Sequence, residues 1–174
     1  WRDDLLVKMR EMGAQAQGYL RKEIGGEAIL ARVRDALRLR TRILRQVAEI
    51  TDDGEVRGRV ERVGVVALLE AVARVRRDVR ASVVDAGSET ELHVRDGGLV
   101  SVTRTAQDGT LTRGEAALLP LLGLGSARFV VRAAAAPRES EAEAAAREGL
   151  LDVVARAARK IAALEESLTG KVLL

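Results

Sequence analysis

The sequence is poor in the residue types that most often perform chemistry or stack on nucleobases. Its 174 residues include no cysteine, one histidine and one each of tryptophan, tyrosine and phenylalanine. The lack of cysteine excludes disulfides, thiolate metal sites and thiol nucleophiles, and because it is typical of a reducing compartment we expect a cytoplasmic protein. One histidine excludes a multi-histidine zinc site. Scarce aromatics argue against single-stranded nucleic-acid binding, which relies on stacking platforms.

Long apolar runs are also missing. No stretch approaches the ~20 residues of a membrane span, and no basic region followed by an apolar stretch marks a secretory signal at the N-terminus. The chain begins with Trp1 rather than methionine, which predicts a piece of a longer protein. With 47% apolar and 32% charged residues, the chain can bury a core and stay soluble. That core must consist of leucine, valine, isoleucine and alanine.

Helical and alternating patterns follow one another along the chain and predict an α+β fold. We expect a small mixed domain of about five strands and two helices, flanked by long amphipathic helices. The turn cluster Thr51–Gly54 and the small linker around Pro137 divide the sequence into three parts, 1–50, 55–133 and 140–169. A hairpin is expected at Asp96-Gly97, and capping boxes at Thr112 and Ser140. Helices are predicted over 27–50, 65–77, 112–122 and 140–169, and strands over 56–60, 80–85, 89–95, 99–105 and 127–132.

Both flanking helices carry apolar residues at alternating spacings of three and four. This periodicity is typical of a helix that packs against a partner helix, so the pattern predicts a coiled-coil or helix-pair interface and a homodimer. The residues expected at that interface are Ile29, Val33, Ile43, Val47, Ile50, Leu150, Val154, Ile161, Leu164 and Leu168.

Catalytic groupings are weak. His93 lies between Leu92 and Val94 in a predicted strand, so it should point to the opposite face beside Glu91 and Arg95, as a solvated surface histidine. No serine, histidine and aspartate arrangement can be assembled. The glycines at 123 and 125 follow a helix instead of opening one, so they do not form a phosphate-binding loop. We therefore expect no enzyme activity, no cofactor and no metal.

In the first segment, a predicted helix ending in Gly13-Ala14 is followed by GYLRK (18–22) and an amphipathic helix. This order resembles the C-terminal end of a response-regulator receiver domain. The resemblance covers about residues 1–45 and implies that Lys22 is the lysine that contacts the phosphorylated aspartate, whose charge it stabilises. Glu23 stands where the family usually has proline. The strands that bear the acidic cluster and the phospho-acceptor are not in this chain, which as given should not accept phosphate.

The middle segment, about residues 55–133, contains four characteristic stretches in order: VRGRV (56–60), ELHVRDGGLV (91–100), TRGEAAL (112–118) and RFVV (128–131). This order resembles the PatA-type N-terminal domain. That module of unknown biochemistry occurs in bacterial two-component and gliding-motility proteins, often fused to receiver domains. Two departures from the family pattern are mild: Val60 replaces the usual leucine, and Ser126-Ala127-Arg128-Phe129 differs from the usual glycine-phenylalanine ending.

These observations favour a non-enzymatic bacterial signalling module. It would serve as the output or scaffold part of a response regulator, through protein–protein contacts and helix-mediated dimerisation. The alternative is a nucleic-acid-binding regulator that uses an arginine-rich helix surface, although nucleic acid is not the expected partner. A small-molecule sensor is a third hypothesis. The arginines of the alternative are Arg38, Arg40, Arg42 and Arg45, followed by Arg74, Arg76, Arg77 and Arg80.

Overall fold

The structure, a computed structural model, describes residues 25–134 and 147–172. The GYLRK stretch (18–22), which includes Lys22, and the capping box at Ser140 lie outside them. Within the described ranges the chain forms five helices and six strands. The helices are α1 (Gly26–Ala48), α2 (Val60–Val63), α3 (Val65–Ala73), α4 (Glu115–Leu122) and α5 (Leu150–Val172), and the strands are β1 (Glu55–Arg59), β2 (Asp78–Val84), β3 (Ser88–Arg95), β4 (Gly98–Ala106), β5 (Leu111–Arg113) and β6 (Arg128–Ala133).

The strands form one antiparallel sheet in the order β1-β6-β2-β3-β4-β5. The predicted hairpin between β3 and β4 is present. Its two turn residues, Asp96 and Gly97, have φ angles of 49° and 78°, the left-handed conformation that a two-residue hairpin of this class requires. The register between β3 and β4 shifts after His93, and the shift leaves Val100 without a partner as a bulge.

One face of the sheet is covered and the other is open. Helices α3 and α4 lie over the covered face, together with the C-terminal end of α1 and the N-terminal half of α5. Alternation along the strands sends apolar side chains to this face and polar ones to the open face. The buried members from the sheet are Val79, Ala81, Val83, Leu92, Val94, Val102, Phe129 and Val131.

The fold class is the α+β class that the sequence predicts, and several element boundaries differ. The C-terminal helix, predicted from residue 140, begins at Leu150, because residues 147–149 before it are not helical. The expected capping box at Thr112 does not form, because Thr112 pairs with Arg104 in the short strand β5. The helix instead begins after Gly114, whose φ of 66° turns the chain and whose N–H donates to the Val102 carbonyl. Helix α3 ends at Ala73 rather than at residue 77, and the residues after Ala73 lead into β2.

The hydrophobic core is a single cluster that crosses the predicted domain boundary. Ile43 and Val47 at the end of α1, and Ile50 just after it, enter the same core as Leu150 and Val154 from the start of α5. The turn predicted at Thr51–Gly54 is present. The turn changes the direction of the chain between two elements that both contribute to this core. The boundary predicted there is therefore not a boundary between two separate hydrophobic cores.

Candidate functional site

The apolar stripe of α1 has two environments. Its C-terminal part packs on the domain, where Ile43 is 8% exposed and Val47 is fully buried. Its N-terminal part projects away from the domain, and four large apolar side chains there are exposed to solvent. They are Ile29 (36%), Leu30 (55%), Val33 (47%) and Leu37 (52%). Because these positions lie on one side of a 3.6-residue helix, they form a continuous apolar ridge, which we call the α1 ridge.

The interface expected from periodicity is therefore too long. Five of its residues are buried in the core of their own domain, which corrects the expectation that they face a partner helix. A stripe that packs on a core and a stripe that packs on a partner need the same spacing, so periodicity could not separate them. The five corrected residues are Ile43, Val47, Ile50, Leu150 and Val154.

Helix α5 also has a buried and an exposed part, but its buried part is the N-terminal one. Leu150 and Ala157 are fully buried against the domain, Ile161 is half-buried, and Leu164 is 60% exposed. The side chain of Leu168, also expected at the interface, lies outside the described ones. The exposed interface candidates in the described ranges are thus Ile29 and Val33 on α1 and Leu164 on α5.

The arginine run of α1 does not form one surface. Arg40 is half-buried on the side of the apolar stripe, whereas Arg38 and Arg45 point to the other side of the helix. Arg38 lies 4.0 Å from Asp35, and Arg45 lies 3.8 Å from Glu49. Arg77, from the later arginine group, contacts Asp52. This division weakens the nucleic-acid alternative, since a duplex needs many phosphate contacts on one face.

A buried charged cluster lies at one end of the open face. Asp78 is 4% exposed, and its two carboxylate oxygens have different partners. Oδ1 contacts His93 Nε2, and Oδ2 accepts a hydrogen bond from Arg95 Nε at 2.7 Å. Arg95 Nη2 lies 2.5 Å from the same Oδ2. Cross-strand pairing of Asp78 with Arg95 brings the three side chains together.

His93 occupies the predicted face, but the expectation of a solvated histidine was wrong. Its side chain is only 16% exposed and is held by Asp78. It borders a polar groove of about 840 Å³ on the open face, together with Glu91 and Ser101. Ser101 is its cross-strand neighbour. No hydrogen bond joins the two side chains in the described ranges, and no cluster of metal-binding side chains occurs there. The cluster acts structurally, since it satisfies a buried carboxylate.

A second charged network fastens α5 to α4. Glu115, the first residue of α4, lies 3.1 Å from Arg156 Nε through Oε2 and 2.6 Å from Lys160 Nζ through Oε1. Arg156 also donates a 3.0 Å hydrogen bond from Nη2 to Glu148. Lys160 and then Arg156 hold the pKa of Glu115 below its ordinary value. Arg156 likewise lowers the pKa of the Glu148 carboxyl.

This network predicts an acid-sensitive attachment of α5. A carboxylate with a lowered pKa stabilises the folded state above its ordinary pKa, and that contribution is lost as the pH falls through the folded-state value. We expect the melting temperature of the wild type to fall more steeply than that of Glu115→Gln between about pH 6 and about pH 3. Glu70→Gln, an exposed control on α3, should retain the wild-type slope. Equal slopes for wild type and Glu115→Gln would contradict the prediction.

Comparisons of the chain with protein-family models, with curated proteins and with solved structures found no match. Among the described residues, no helix is both long enough and apolar enough to cross a membrane. The functional argument therefore rests on the surfaces described above, of which the α1 ridge exposes the most apolar side chains.

Proposed function

We propose that this chain is a non-enzymatic bacterial signal-transduction module, the output or scaffold part of a response regulator. It acts through protein–protein contacts and dimerises through α1. The observation that carries the proposal is the α1 ridge. Four large apolar side chains lie in a row on a helix whose other end is anchored in the core. A contiguous exposed apolar patch of this kind is typical of an interaction site.

The spacing within the ridge favours a second helix as its cover. Leu30 and Leu37 are one heptad apart, and Val33 lies between them at the alternating spacing of a helix pair. Two copies of α1 would bury the ridge of each against the other. Because α1 has no proline and no glycine after Gly26, its exposed part can continue as a regular helix into such a pair.

The family resemblances supply the signalling part of the proposal. A receiver-like segment precedes α1, and its Lys22 would couple phosphorylation of an upstream aspartate to α1 in a longer natural chain. The PatA-type resemblance of residues 55–133 agrees with this arrangement, because that module is often fused to receiver domains. In this proposal α1 links the input segment to the domain, and its pairing changes with the phosphorylation state.

Sedimentation velocity tests the dimer directly. We expect the wild type to dimerise at micromolar concentration and Leu30→Lys/Leu37→Lys to weaken the dimer at least about tenfold, because two buried leucines become charged. Leu111→Lys is the matched control, since Leu111 is also 50% exposed but lies on β5. A wild type that stays monomeric at high micromolar concentration would contradict the proposal, as would equal weakening by the control.

A further inference from the structure

Strand β1 lies at the edge of the sheet, and among the described residues no other strand pairs with the hydrogen-bonding groups on its outer side. Ala133 N–H donates to the Gly54 carbonyl at 3.2 Å, and Val60 N–H donates to the Ala127 carbonyl at 2.9 Å. Hydrogen-bonding direction alternates along an antiparallel strand. The even-numbered residues of β1 therefore face β6, and Glu55, Arg57 and Arg59 turn their N–H groups towards the free edge.

A groove of about 510 Å³ runs along this free edge, between β1 and α1. We call it the β1 groove. Its α1 side is apolar near the bottom, where Leu39 is half-buried and Ile43 is almost fully buried. On the β1 side, the ring of Phe129 packs against Gly58 at the position that a Cβ would occupy. Gly58 is half-buried, and its backbone borders the groove.

Four arginines line the β1 groove: Arg42, Arg57, Arg59 and Arg62. Two have acidic neighbours, since Arg57 contacts Glu55 and Arg59 Nη1 lies 3.2 Å from Glu61. Arg42 and Arg62 contact no carboxylate within the described part of the chain. The groove thus has a surplus of positive charge beside an open strand edge.

The geometry points to the β1 groove as a docking site for an extended acidic segment of a partner protein, which adds to the sheet as a seventh strand. The main chain of the segment would pair with the outward N–H and C=O groups of β1, as in β-strand addition. Its side chains would alternate. One set would contact Leu39 and Ile43, and the other, acidic, would meet the arginines of the groove that have no acidic neighbour among the described residues, Arg42 and Arg62.

Other occupants fit the groove less well. A second copy of this chain would place the same four arginines opposite one another, and like charges on directly paired strands repel. A single-stranded nucleic acid would satisfy the arginines but neither the strand edge nor the need for stacking, because Phe129 is buried and the groove has no exposed aromatic residue among those that line it. An acidic peptide satisfies both features.

Fluorescence anisotropy with a defined peptide tests this inference. The probe is a fluorescein-labelled peptide of alternating valine and glutamate, about six residues long to match β1. We expect the wild type to bind it at micromolar concentration, and Arg42→Gln/Arg62→Gln to bind it about tenfold more weakly. Arg74→Gln/Arg113→Gln is the matched control, because it removes the same charge from exposed positions elsewhere. It should bind like the wild type.

Two further peptides and one exchange measurement separate strand addition from simple charge attraction. A peptide with N-methyl groups on alternate amides keeps its charge but cannot pair with β1, so it should not bind. A lysine-for-glutamate peptide should not bind either. In the complex, hydrogen exchange at the Arg57 amide should slow. Failure of the first peptide to bind, equal binding of the N-methylated peptide, or tighter binding of single-stranded DNA would overturn the inference.

The inference is independent of the proposed dimer. Leu30 and Leu37, the residues changed to test dimerisation, do not line the β1 groove. A monomeric Leu30→Lys/Leu37→Lys variant should therefore still bind the acidic peptide. If the wild type dimerises but does not bind the peptide, only the proposed docking site in the β1 groove is contradicted. The two outcomes can be read separately on the same protein.

Discussion

Replacing Gly97 with alanine should lower the free energy of unfolding by about 3 kcal/mol. Two costs combine at this hairpin residue. Its φ of 78° is unfavourable for any residue with a Cβ, and a Cβ built there would lie 2.6 Å from the carbonyl oxygen of Ala73, a backbone atom at the end of α3. Relief would require the hairpin to move, and Gly97 O also accepts a 2.9 Å hydrogen bond from Leu150 N–H at the start of α5.

Gly109 provides the control that separates the two costs. Its φ of 83° is similar, but a Cβ there would meet no atom within 4 Å. We expect Gly109→Ala to cost only the conformational part, about 1 kcal/mol. Urea denaturation of both variants measures the difference. If the two substitutions cost the same, the close approach to Ala73 does not contribute.

Removing the Asp78 carboxylate should have an effect of similar size. Asp78→Ala deprives His93 and Arg95 of a common acceptor inside the protein, and breaking a buried charged cluster of this kind typically costs about 3–5 kcal/mol. Asp78→Asn keeps an oxygen acceptor and should cost less. Asp53→Ala, in the exposed turn before β1, should change the unfolding free energy by less than about 0.5 kcal/mol.

The measurement is again equilibrium unfolding, supported by the chemical shifts of the His93 ring. A structural role for the cluster predicts that Asp78→Ala changes both the stability and the environment of that ring. A stability within about 0.5 kcal/mol of the wild type would contradict the role assigned to the cluster. It would also mean that solvent satisfies Arg95 and His93 as well as the carboxylate does.

Local sequence patterns were sufficient to predict the central strands and one of their connections. Alternation identified β2, β3 and β4, and Asp96-Gly97 identified the tight hairpin, because both signals depend on neighbours in sequence. Thr112 shows where local reasoning fails. Its capping pattern with Glu115 is genuine, but pairing with Arg104 on β4 places Thr112 in a strand instead. Pairing with the preceding strand overrode the preference for a helix cap.

The candidate sites were less accessible to sequence reasoning. The direction of His93 follows from alternation, but its partner Asp78 is fifteen residues earlier and becomes a neighbour only through strand register. The β1 groove was also not predictable from local sequence, because its residues come together only in the folded chain. Arg42 belongs to α1, and Arg57 and Arg59 to β1, so no spacing along the chain relates them. Periodicity found the apolar stripe of α1, but only the packing shows which half is exposed.

Helix α1 also has the geometry of a lever. Its 23 residues span about 35 Å at 1.5 Å per residue, and the same stripe that forms the ridge is fixed at its other end by Val47, in the centre of the core. Any torque applied to the exposed half is carried by backbone hydrogen bonds to that fixed end. A rotation of the projecting half would have to turn Ile43 and Val47 against α3, or strain the helix between.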